Sequence, residues 1–146
     1  LEGFTDPVGF WSTSYEWCEK EQLIDLRDEG CEGYDIDNNP PNVSISEWFA
    51  ARGDSKIIYK LKVKFLDKDK SIIDIYQKQN KLPKGREWFK VEHYQILPPG
   101  TRYILYSHKG KGQNWAGHYG AKMTLSSVIL TPQEGKKLHT YFHTIC

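Results

Sequence analysis

The sequence predicts an all-β domain, an antiparallel β-sandwich of jelly-roll type. Three observations predict it. Stretches with apolar residues at alternate positions recur at roughly ten-residue spacing. Proline- and glycine-rich turns separate these stretches. Aromatic residues reach 14%, with five Trp and nine Tyr, and large rings favour the half-buried surface of a pleated sheet.

Taken in order, Gln22–Leu26 and Val43–Phe49 read as the first strands, with a turn cluster at Asp35 through Pro41 between them. Ile57–Phe65 alternates apolar residues with Lys60, Lys62 and Lys64, so one face meets the core and the other meets water. The charged turn Asp67–Lys70 leads to a strand at Ser71–Tyr76, and the two form a hairpin. Trp88–Tyr94 and Arg102–Tyr106 are strands separated by Pro98–Pro99–Gly100, a sequence that can continue neither. Lys109–Asn114 reads as a flexible loop into Trp115, and Ala121–Leu130 is the last strand before Pro132. A short helix fits at Glu16–Lys20 or Glu134–Leu138. There is no internal repeat and no linker. One domain over residues 1–146 is expected, with a core from about 11 to 132 and a polar tail from 133 to 146.

Bulk properties narrow the function. The 146 residues, 38% apolar and 27% charged, suit one hydrophobic core. Twenty basic against nineteen acidic residues give a net charge of +1, which argues against a nucleic-acid partner, because duplex binding needs a clustered positive excess. No apolar run is long enough to span a bilayer. The chain starts at Leu1 rather than Met, so the lack of a signal pattern carries no weight.

Cys18, Cys31 and Cys146 are an odd set: at most one intrachain bridge forms, and the remaining thiol is open to a disulfide-linked homodimer. Cys18, beside Trp17, is expected as a buried free thiol, and a Cys31–Cys146 bridge would tie down the tail. Their spacing fits no zinc site, and no metal or cofactor is expected. The sequence holds no nucleophile elbow, zinc triad or phosphate loop. His139 and His143 are four apart but lack the Glu of a zinc-protease helix. No catalytic residue is therefore assigned, and the chain is expected to bind, not to catalyse. Arg52–Gly53–Asp54 spells an integrin-type tripeptide, a match too short to carry weight.

Several segments together resemble a known family. They are Ser14–Tyr15–Glu16–Trp17–Cys18 with Gln22–Leu26, Ser46–Glu47–Trp48–Phe49 with Arg52–Gly53–Asp54, Ile58–Val63, Pro99–Tyr103 with His108, and Trp115–Lys122 with Ser126–Ser127–Val128. In this order, from about Ser14 to Pro132, they resemble the F-box-associated domain, the substrate-reading half of glycoprotein-specific F-box ubiquitin ligase subunits. The resemblance implies a jelly-roll sandwich of the galactose-binding-domain-like kind. For some members it also implies recognition of the chitobiose and mannose core of N-linked glycans; others bind no sugar.

In the sugar-binding members the site combines an aromatic before the Glu-Trp-Cys motif, an acid after the Arg-x motif and a Tyr-Trp-Lys triplet. The matching residues are Tyr15, Asp54 and Trp115, while Asn114 stands for the Tyr and Ala116 for the Lys. Trp115 would stack on the C–H face of a sugar ring, Tyr15 would form a second wall, and Asp54 and Asn114 would meet hydroxyls. The resemblance thus implies a lectin whose partners are glycans or glycoproteins. The alternative is a protein-interaction module like the members that bind no sugar, which the Asn114 and Ala116 substitutions favour. The sequon Asn42–Val43–Ser44 follows Pro40–Pro41 and is a candidate glycosylation site. With the cysteines it points to an extracellular, secreted protein, the cytosol being the alternative.

Overall fold

The computed structural model describes residues 11–12, 18–51, 56–83, 85, 87–112, 122–133 and 141–145. Its strands are β1 (Trp11–Ser12), β2 (Cys18–Asp25), β3 (Asn42–Ala50), β4 (Ile57–Leu66), β5 (Ile72–Leu82), β6 (Phe89–Ile96), β7 (Tyr103–Gly112), β8 (Lys122–Thr131) and β9 (Tyr141–Ile145). One short helix, α1 (Gly33–Asn38), lies between β2 and β3.

All the strand pairs are antiparallel. One sheet runs β1-β8-β3-β6 with β9 also paired to β8; the other runs β2-β7-β4-β5. The wiring is that of one long hairpin wound on itself. β4 pairs with β5 at its tip, then β3 with β6, β2 with β7 and β1 with β8 going outward. Pairing of β3 with β8 and of β4 with β7 closes the roll. This double-sheet jelly roll is the sandwich that the alternating pattern and the turn residues predict.

β4 shows why the sequence folds this way. Ile57, Tyr59, Leu61, Val63 and Phe65 are buried on one face, while Lys60, Lys62 and Lys64 point outward. β3 and β8 supply Val43, Ile45, Phe49, Met123, Val128 and Leu130 from the other sheet to the same core. The rings of Phe49 and Tyr59 stack between the sheets at 4.1 Å and 3°.

Some local expectations are corrected. Lys109–Gly112 continues β7 instead of forming a loop, because β2 and β4 both pair with it there. The strands on either side of Pro98–Gly100 lie in different sheets, so that turn crosses the sandwich. The turn cluster at 35–41 contains the last turn of α1, anchored by Ile36, which is fully buried. A short helix at 16–20 gives way to β2 from Cys18; residues 16–17 and 134–138 lie outside the described residues. The expected polar tail includes β9, so His143 is on a strand opposite Val128, not on a helix.

Asn42 is exposed, as a sequon requires, but it opens the central strand β3 opposite Ile96 and Thr131 and is not on a loop. Cys31 is a buried free thiol in this structure and packs into the core cluster at 4% exposure. Its expected partner Cys146 lies outside the described residues. No helix of the described residues is long and apolar enough to cross a membrane.

Candidate functional site

Strand pairing fixes which loops share an end of the sandwich. Cys18, the start of β2, lies opposite Gly110 near the end of β7. Ile57, the start of β4, lies between Gly112 and Leu82. Ala50 closes β3 opposite Lys122, and Lys122 also faces Ser12 of β1. Phe49 faces Phe89 at the start of β6. These strand ends mark one rim, from which the β1–β2, β3–β4, β5–β6 and β7–β8 connections all depart.

Tyr15 belongs to the first of these connections, Asp54 to the second, and Asn114 and Trp115 to the last. All four lie outside the described residues, whereas the strand ends that carry their segments are described. α1 and the β4–β5 and β6–β7 turns occupy the opposite end.

The described part of this rim holds two residues that sequence reasoning did not single out. Trp88, 5% exposed, precedes β6, and Lys122, 6% exposed, opens β8. The Lys122 ammonium sits 4.9 Å from the centre of the Trp88 ring. A cation this deeply placed over an indole is partly desolvated, and the pair links the start of β8 to the residue before β6. Both residues stood in recognised segments, but only the register placed them together.

A few residues below the rim lies a buried polar cluster. Glu47 of β3 is fully buried and reaches across to the other sheet. Tyr59 Oη donates to its Oε1 at 2.6 Å, and Tyr106 Oη donates to Oε2 at 3.0 Å. His108 Nδ1 lies 2.5 Å from Oε2, and Ser126 Oγ also donates to Oε2. A carboxylate only accepts, so His108 carries its hydrogen on Nδ1. Burial raises both phenols well above the usual tyrosine range, with the Glu47 charge adding to it. They therefore stay protonated and keep donating.

The bulge that serves this cluster is in β8. The β3–β8 register shifts between Ser46 and Trp48, and Leu125 there has φ 53°. The extra residue turns Ser126 inward onto Glu47 and leaves Leu125 53% exposed. The inward position of Glu47 was readable: it shares its face with Val43, Ile45 and Phe49.

At the opposite end, Arg102 grips Asp37 of α1 with two bonds, 3.1 Å and 2.8 Å, and Gly100 N–H donates to the same carboxylate at 2.7 Å. The Arg102 hydrogen bond, ahead of the others, holds the Asp37 carboxyl below its usual range. This is a structural clasp for α1. Among the described residues no group of three or more His, Cys, Asp or Glu could hold a metal ion.

Comparison with known proteins fits this geometry. The family model for the F-box associated region matches residues 6–130. The chain belongs to the F-box-associated family. It is 35% identical to human F-box only protein 27 over 123 residues, which covers 81% of this chain and 44% of that protein. It is 36% identical to human F-box only protein 6 over 141 residues, covering 89% of this chain and 47% of the relative. Bovine F-box only protein 2 matches at 31% over 129 residues, 84% of this chain and 43% of its own length. The chain thus spans about half the length of the curated relatives it matches.

Proposed function

We propose that this chain is a substrate-recognition module that binds N-glycan-type oligosaccharides of glycoproteins through the loops of one rim. The observation that supports the reading most is the register. Connections bearing Tyr15, Asp54, Asn114 and Trp115 all depart from strand ends gathered at one end of a rigid sandwich. Loops on a rigid scaffold are where binding residues concentrate.

An indole and a phenol pack on sugar C–H faces, while a carboxylate and an amide match hydroxyls and acetamides. The ligand class is the mannose and chitobiose core. Ala116, in place of a charged donor, weakens chitobiose binding by about 1–3 kcal/mol if that donor is buried. The preference then moves toward mannose-rich residues.

A second reading is a protein-interaction module of an F-box-type ubiquitin ligase substrate adaptor. Asn114 and Ala116, in place of the Tyr and Lys of the sugar-binding pattern, favour it. A glycan array followed by calorimetric titration separates the two. Glycan binding lost in Trp115→Ala and Asp54→Asn, and capture of a glycoprotein abolished by glycosidase, supports the lectin. Silence on every oligosaccharide with undiminished capture of the deglycosylated protein supports the alternative.

A further inference from the structure

The chain is nearly neutral, with twenty basic and nineteen acidic residues, yet its charge is unevenly placed. The outer face of the β2-β7-β4-β5 sheet collects lysines. Lys60, Lys62 and Lys64 project from β4, and their partners across the ladder lie on the same face. Lys60 is directly opposite Lys109, while Lys111 and Lys81 flank Ile58 on either side. The acids of this face, Glu19, Glu21 and Asp25, stand on the edge strand β2; Glu19 lies directly opposite Lys109, and its Oε1 accepts from Ser107 Oγ at 2.7 Å. The outer face of the other sheet is different in kind: Ser44, Tyr94, Ile96 and Ile129 lie there, and its Lys90 and Glu92 pair with each other at 2.5 Å.

Like charges set directly opposite on a sheet destabilise it. Lysines are often placed on edge strands to block unwanted strand pairing. That purpose does not account for these residues, because β4 and β7 are the two central strands of the sheet. The face is also hollowed: Lys60, Lys62, Lys78 and Lys109, with one acid, Glu19, line an open depression of about 400 Å³, with Gln77 and Gln79 at its side.

We propose that this face is a docking surface for an extended, acidic polypeptide segment. Along β4, lysines two residues apart repeat at about 6.8 Å, which is also the repeat of same-side side chains in an extended peptide. Carboxylates at alternate positions of such a segment meet Lys60, Lys62 and Lys64 in register. Gln77, Gln79 and Ser107 offer neutral hydrogen-bonding groups beside them. The outward positions of the rows from Ile58 to Lys64, on β4, β5 and β7, carry no aromatic ring; the rings of these rows, Tyr59, Tyr76 and Tyr106, belong to the alternate, inward set. Single-stranded nucleic acids are held by stacking on such rings, so this surface suits a peptide better. The face runs down β4 away from the loop rim, from Ile58 beside it to Lys64 seven residues along the strand from Ile57, so Lys62 and Lys64 stand apart from the rim.

The test uses the full chain and a fluorescent peptide of alternating Glu and Ser, followed by anisotropy. The expected result is saturable binding that weakens as salt rises. The double variant K60E/K62E loses about tenfold or more in affinity, and K90E on the other sheet leaves it unchanged. Circular dichroism checks that the variants fold; should K60E/K62E not fold, the milder K62Q/K109Q takes its place with a smaller loss. Glycan titration of the same variants is expected to stay unchanged, so failure here leaves the rim reading standing. The proposal is overturned if the peptide does not bind, if the lysine variants bind it as tightly as the parent, or if a single-stranded oligonucleotide of equal charge displaces it at lower concentration.

Discussion

Glu47 of one sheet and Tyr59 of the other meet across the sandwich with 2.6 Å between carboxylate and phenol, both fully buried. This bond, with those from Tyr106, His108 and Ser126, ties together β3, β4, β7 and β8, the four strands at the middle of the two sheets. All four continue to the rim that carries the candidate binding loops.

Removing the carboxylate leaves several buried donors without their acceptor. Glu47→Ala is expected to lower stability by about 3–5 kcal/mol. Glu47→Gln keeps the shape but confronts these donors with an amide, and is expected to cost less. Urea unfolding of both variants measures this; a loss under about 1 kcal/mol for the alanine would show the cluster to be dispensable.

Leu125 occupies the left-handed region at φ 53° with its side chain half in water. Leu125→Val adds β-branching to that conformation and is expected to destabilise by about 1 kcal/mol. Leu125→Asn, which tolerates it, is expected to be neutral or slightly stabilising. Thermal melts of the two variants should therefore move in different directions or by clearly different amounts.

The Asp37–Arg102 clasp predicts a pH effect. The folded-state pKa of Asp37 is depressed, so its contribution is present above the unfolded carboxylate value and is lost as pH falls through the folded value. Asp37→Asn should flatten that acid limb of the stability–pH curve. The pair is partly exposed, with side chains at 30% and 40%, so the loss at neutral pH is about 1 kcal/mol or less. Gly33→Ala should act on the same clasp, because an added Cβ would stand 2.7 Å from Arg102 Nε.

Cys31 should be slow to alkylate. Burial raises its thiol pKa, and nearby Asp35 and Glu32 add to the effect. Maleimide labelling read by peptide mapping is expected to miss Cys31 in the native protein and reach it in urea. Rapid native labelling at Cys31 would contradict its burial.

Much of the fold was legible because β3, β4 and the part of β8 beyond its bulge alternate: one face of each is mostly apolar, and a one-residue slip would expose it. Edge strands were harder. β5 is exposed along most of its length, so Gln77–Leu82 carries no inward pattern and its second half went unread. α1 was missed because Asp35–Asn39 is rich in turn residues; the buried Ile36 and the clasp to Arg102 stabilise it from outside its own sequence. The candidate site was legible only as motifs. That Trp88 and Lys122 adjoin one another, or that the three site-bearing connections share a rim, follows from strand register, which no single segment encodes.

The nested wiring also sets when the molecule can form. β1 has no sheet partner until β8 exists, and more than a hundred residues of chain separate Ser12 from Lys122. The β4–β5 hairpin can close early on the ribosome, but the first sheet must wait for nearly the whole domain to emerge. Assembly should thus run from the hairpin tip outward, at the slow pace of β-proteins dominated by distant pairings.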